Sequence, residues 1–281
     1  MWTLQTAEGR IVASPSPRTY ARDALSINLE LLFAEAGDIY DRVAAASSAG
    51  YSNVEIWGWR AKDIAQLREA LQSAGSRLVS MTVDPQLELG DRRCHARYLA
   101  GVNDSITAAL ALGEPFLVVV AGQREPGSSF ADQRDAALEV LSKAAKLAQA
   151  AGVTLLLEPL NDRVDHKGSL LSSTEEGLTW VREIGSKHLR LLLDAYHALT
   201  MGEDIHDLMS DDIRLVGHVQ IADVPGRGEP GTGLEDWESH LRLLRALGYR
   251  GLWGMEYRPN VATQMSLANF ESVVQRVDVA G

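Results

Sequence analysis

Among its 281 residues the sequence has a single cysteine, Cys94. One thiol excludes an internal disulfide framework and any thiolate metal cluster, and it fits a reducing compartment, so the expected location is cytoplasmic. Long apolar runs are missing too. Stretches such as residues 116–121, FLVVVA, fall far short of the roughly 20 residues that a membrane span needs. Residues 1–18 carry Glu8, Pro15 and Pro17 instead of a basic end followed by an apolar segment, so no secretory signal is expected there. Positive charge is scarce: the formal net charge is -11, and Arg92-Arg93 is the densest basic pair. A field of that sign repels phosphate backbones and anionic lipid heads, so neither nucleic acid nor a membrane is an expected partner.

What the chain does have is a hydrophobic share of 46% against 23% charged residues, the balance of a globular protein with a large core. A phrase recurs along it: an amphipathic helical stretch, a small residue and a glycine, then a short β-branched or leucine-rich run. The phrase is found at Ala49-Gly50, Ala74-Gly75, Leu112-Gly113, Ala151-Gly152, Ile184-Gly185 and Leu247-Gly248. A glycine just past a helix accepts the left-handed conformation that closes the last turn, so each phrase predicts a helix end leading into a strand. With residues 25–29 and 215–221 as further strands, the count is eight. Strands separated by helices are parallel, and their continuous apolar character says that both faces are covered. No Gly-rich phosphate loop follows the first strand, which weighs against an open doubly wound sheet. The prediction is a single-domain α/β (β/α)8 TIM barrel over residues 25–281, preceded by a partly irregular N-terminal extension, residues 1–24.

In such a barrel the active site is built at the carboxyl ends of the strands. Glu158, Asp194 and Glu256 end apolar runs there, and Gln220 sits late in another. Three converging carboxylates repel unless a cation joins them, so one divalent ion is expected. The oxygen-only set suits Mg²⁺ or Mn²⁺ best, with Co²⁺, Fe²⁺ and Zn²⁺ as the other ions to test. An acid in this position also serves as a helix N-cap or an ion-pair partner. Asn161 and His197 add polar groups to the same loops, Glu55 ends the second strand, and Trp57, Trp59 and Phe33 are candidate pocket walls. Residues 217–233, GHVQIADVPGRGEPGTG, read as a shaped loop over the rim, in which Arg227 is placed to fork onto a substrate carboxylate.

These residues resemble the hydroxypyruvate isomerase family of the xylose isomerase-like barrels. The loop just quoted is the most specific match. SINLELLF at 26–33, VEIWG at 54–58, LEPLN at 157–161, DAYH at 194–197 and EYRP at 256–259 extend it over most of the chain. The resemblance implies a metal bound by Glu158, Asp194, Gln220 and Glu256, with Glu158 and Glu256 doubling as the acid–base pair and His197 near the substrate oxygens. It implies aldose–ketose isomerisation of a small hydroxy-carbonyl compound, such as hydroxypyruvate to tartronate semialdehyde, through a cis-enediolate. The substrate expected is a small hydroxy-acid or short sugar, and a homo-oligomer is compatible with the family. Two departures bear on the substrate: Gly233 precedes Leu234, Glu235 and Asp236 where the family often has Gly-Glu-Ile, and residues 165–168 lack a common proline. The rival readings are a ketose 3-epimerase, a lyase on the same barrel, a multi-zinc nuclease and a non-catalytic sugar-sensing barrel.

Overall fold

The computed structural model describes residues 17–209 and 212–278. Residues 1–16 of the expected extension lie outside the described residues; its last part, Pro17–Asp23, is a helix. The strands are β1 (Leu25–Asn28), β2 (Asn53–Glu55), β3 (Arg77–Thr82) and β4 (Phe116–Val120). They continue with β5 (Leu155–Glu158), β6 (Leu189–Asp194), β7 (Val216–Ile221) and β8 (Trp253–Met255). Every neighbouring pair is parallel, and β8 returns to β1, so the barrel closes.

Six strands fall where the recurring phrase predicts them, and β1 and β7 fall on the two further runs. Gly75 and Gly152 close their helices in the left-handed conformation, at φ 63° and 74°, and the other four junction glycines also have positive φ. One expectation is corrected: regular structure persists through Ile221, because β7 pairs with β6 as far as Gln220 and with β8 as far as Ile221, and the irregular loop starts only at Ala222.

Side chains alternate along each strand between the helices and the barrel interior. Leu117, Val119, Leu155, Leu157, Leu191 and Leu193 face outward into the main core, whereas Val118, Leu156 and Leu192 form a separate inner cluster. The interior is therefore apolar on the β4–β6 side. On the opposite side it is polar: Ser26, Glu55, Ser80, His218 and Gln220 are all buried. Gly254 makes room for this group, since a Cβ there would stand 2.7 Å from Glu55 Oε1 and 2.8 Å from His218 Nε2. No helix among the described residues is long and apolar enough to cross a membrane.

Candidate active site

Strand ends and the loops that follow them bring the predicted acids together at one mouth of the barrel. A cavity of about 550 Å³ opens there, with Trp57, Glu158, His197, Arg227 and Glu256 on its wall. Asp194 is buried against it; Glu158, Asp194 and His197 offer ligand atoms that all lie within 4.8 Å of one another.

Asp194 divides its two oxygens. Oδ1 accepts from the backbone N–H of Tyr196 at 2.8 Å and of His197 at 3.3 Å, capping the helix Ala195–Met201. Oδ2 faces the site and meets Arg227 Nη2 at 3.0 Å and His197 Nε2 at 3.5 Å. The helix-cap and active-site readings of this acid are both satisfied, one by each oxygen.

Glu256 accepts from Trp57 Nε1 at 2.6 Å and from Asn28 Nδ2 at 3.2 Å, both on Oε1. Its Oε2 lies 3.2 Å from Arg227 Nη2 but has no aligned hydrogen bond. Glu158 receives no hydrogen bond from the described residues, and its nearest cationic or imidazole group is His197 Nε2 at 4.0 Å. Burial, together with the charges of Glu256 and Asp194, pushes the Glu158 pKa well above the ordinary carboxylate value. Burial raises Glu256 as well, against the opposing pull of Arg227.

Arg227 is the cation of the site. Burial works against its charge, but Glu256, Asp194 and Glu158 outweigh it and hold the guanidinium above its ordinary pKa. Its backbone is left-handed, φ 58°, a conformation costly for a side chain with a Cβ. The loop enforces it: Asp223 accepts from Gly231 N and Gly233 N at 2.7 and 2.8 Å, and Glu229 takes Asn260 N at 2.9 Å. The guanidinium also packs over Tyr196, 5.2 Å from the ring centre.

His197 is set from behind. Its Nδ1 receives Asn161 N at 3.1 Å and lies 2.7 Å from Asn161 Nδ2. The Asn161 amide cannot be turned, because its oxygen accepts from Val164 N and Asp165 N, both at 3.0 Å. With donors on Nδ1, the neutral ring carries its proton on Nε2, which is buried and has no aligned hydrogen bond. Burial lowers the His197 pKa to about 4, so the neutral form persists at physiological pH.

Two residues expected to contact substrate do not line the cavity. Asn161 is fully buried, its donors directed at His197 and Asp165. Glu55, also fully buried, lies behind the cavity wall, where four side chains donate to it. Among the aromatic candidates Trp57 lines the cavity, while Phe33 packs on Tyr51 in the core and Trp59 donates to Ser105 at 2.9 Å. The sequence reading missed Asn28, Glu88, Gln123, Asp165, His166 and Arg258; all but Asn28 line the cavity. Asn28 ends β1 and obeys the same strand-end rule that found the acids, whereas the others belong to loops without any periodic signal.

The profile of the family described as xylose isomerase-like TIM barrel matches residues 43–272. The chain is similar to a putative hydroxypyruvate isomerase of Streptomyces coelicolor, at 33% identity over 259 residues that span 85% of this chain and 92% of that protein. It is also similar to a 2-oxo-tetronate isomerase of Cupriavidus necator, at 32% identity over 85% of this chain and 94% of that protein. Among solved structures it resembles an AP endonuclease, family 2, from Brucella melitensis, with a TM-score of 0.83 and 27% identity over 89% of this chain and 98% of that one.

Proposed function

The chain belongs to the xylose isomerase-like TIM barrel family and is an isomerase, and we propose that it acts on small oxo-acids, moving a carbonyl between adjacent carbons of a hydroxy-oxo-acid. Hydroxypyruvate and tartronate semialdehyde are the first pair to test. The observation that carries this reading is the meeting of Glu158, Asp194 and Glu256 at the ends of β5, β6 and β8, with a neutral imidazole and one guanidinium among them.

The donor set fits a hard divalent ion. Glu158 lacks any hydrogen-bond donor, and Glu256 Oε2 and Gln220 Oε1 are buried without hydrogen-bond partners, as atoms reserved for another group are. Glu158, Asp194, Gln220 and Glu256 would hold Mg²⁺ or Mn²⁺, which supplies polarisation of the carbonyl and acidifies the neighbouring C–H.

The protein's own groups then divide the proton work. Glu158 and Glu256 form the acid–base pair: one takes the proton from the hydroxyl-bearing carbon and returns it to the adjacent carbon, while the other takes the hydroxyl proton and delivers it to the former carbonyl oxygen. The raised pKa of each brings its two protonation states closer in energy near neutral pH, as a group that both takes and returns a proton requires. His197 donates from Nε2 to a substrate oxygen, in a tautomer that Asn161 fixes. Arg227 pairs with Asp194 and Glu256 and brings positive charge toward a substrate carboxylate, while Trp57 closes the wall and orients Glu256. A nuclease reading is disfavoured by the net charge of -11 and by the single acid–imidazole cluster found among the described residues.

The test is turnover of hydroxypyruvate in D₂O with Mn²⁺. Deuterium is expected on the product carbon, because a carboxylate-borne proton exchanges with solvent; unlabelled product points to a hydride shift. Absence of turnover for every three- and four-carbon hydroxy-oxo-acid with every divalent ion would overturn the proposal.

A further inference from the structure

Glu55 is a buried carboxylate that the proposed proton transfers leave unused. Gln220 lies on β7 and Glu55 on β2, with β8 and β1 between them, so the bond joining their side chains crosses the barrel interior. Gln220 Nε2 donates to Glu55 Oε2 at 2.9 Å, and Ser80 Oγ donates to the same oxygen at 2.8 Å. The other oxygen, Oε1, accepts from Ser26 Oγ and lies 2.8 Å from His218 Nε2. Donors therefore stand on both oxygens of Glu55, and the carboxylate serves as an acceptor throughout. Against this background the Gln220 amide has one orientation. Turning it over would set its oxygen against Glu55 Oε2, two buried acceptors in contact. As it stands, Oε1 is buried and unpartnered. Gly254 removes the one side chain that would separate the groups, since a Cβ there would lie 2.9 Å from Gln220 Cγ as well.

We propose that Glu55 is a positioning residue: by accepting from Nε2 it locks the Gln220 amide, so that Oε1 is presented as the neutral oxygen of the divalent-ion site beside Glu158, Asp194 and Glu256. Ser26, Ser80 and His218 hold Glu55 in turn. This rests on the reading of Gln220 as a ligand given above.

Mn²⁺ binding, followed by the electron paramagnetic resonance of the free ion, tests it without recourse to turnover. Gln220→Ala should weaken binding, and Glu55→Leu, which removes both acceptor oxygens, should weaken it by about 10-fold or more, the usual effect of losing a group that orients a ligand. Glu55→Leu added to Gln220→Ala should cost nothing further, because the residue acts through the amide. Ser80→Ala, which leaves the acceptor of Gln220 in place, should bind Mn²⁺ as the wild type does. Additive losses in the double variant, or unchanged binding in Glu55→Leu, would overturn the inference while leaving the ion site standing. No Mn²⁺ binding by the wild type, or no loss in Gln220→Ala, overturns both. A second measurement does not depend on a variant folding. In protein labelled with ¹⁵N-glutamine, the Gln220 Nε2 protons should exchange slowly with solvent and remain so on adding Mg²⁺. Fast exchange in the Mg²⁺-loaded protein would show that the amide has left Glu55.

Discussion

Glu55 and Glu158 are both buried in the same barrel and experience opposite fates. Four donors converge on Glu55, and its pKa is held below the ordinary value in spite of complete burial. Glu158 has no donor, faces Glu256 and Asp194, and is pushed well above that value. Depth is common to the two, so depth does not decide. What decides is whether the fold supplies hydrogen atoms or more negative charge. Both oxygens of Glu55 are met by donors from the fold, whereas Glu158 faces further carboxylates.

The largest way to break this contrast is through catalysis. Glu158→Gln and Glu256→Gln should each lower kcat by about 10²–10⁴-fold, the range typical of a lost general acid or base, with the far-UV circular dichroism unchanged. Retention of more than a tenth of wild-type kcat in either variant would remove it from the acid–base pair. Next in size is stability. Glu55→Ala strands four buried donors and should lower the unfolding free energy by about 3 kcal/mol or more, read from urea denaturation. An unchanged midpoint would mean that the donors are rehydrated and the interior is less closed than it looks.

The smallest effect has the opposite sign. A carboxyl whose folded pKa exceeds its unfolded value binds more protons in the native state, so it detracts from stability as pH rises above the unfolded value of about 4.5. In metal-free buffer Glu158→Gln should therefore melt higher than wild type at pH 7.5, and the gap should close toward pH 4. A gap that instead widens on acidification would contradict the assignment of the shift.

The architecture was legible because six helix ends announce themselves with a glycine and most of the strands read as short apolar runs. That Glu158, Asp194 and Glu256 meet at one mouth of the barrel was legible because each acid directly ends an apolar run. Arg227 was legible as a loop cation but its partners were not: a left-handed backbone turns it inward onto Asp194 and Glu256, and nothing in the local sequence announces that turn. The roles of Glu55 and Asn161 were hidden for a different reason. Glu55 meets Gln220 at a separation of 165 residues, and Asn161 meets His197 at 36, so each depends on a geometry that only the closed barrel creates. Ser26 and Ser80 look like ordinary strand serines until the carboxylate between them is seen.

The divided use of Asp194 limits what can replace it. Asparagine would keep an oxygen for the N–H groups of Tyr196 and His197 but would bring no negative charge toward Arg227. Glutamate would keep the charge, yet its extra methylene moves the carboxylate out of register with the first helical turn. Neither of the two nearest chemical relatives of aspartate serves both demands, so this position has no conservative substitute.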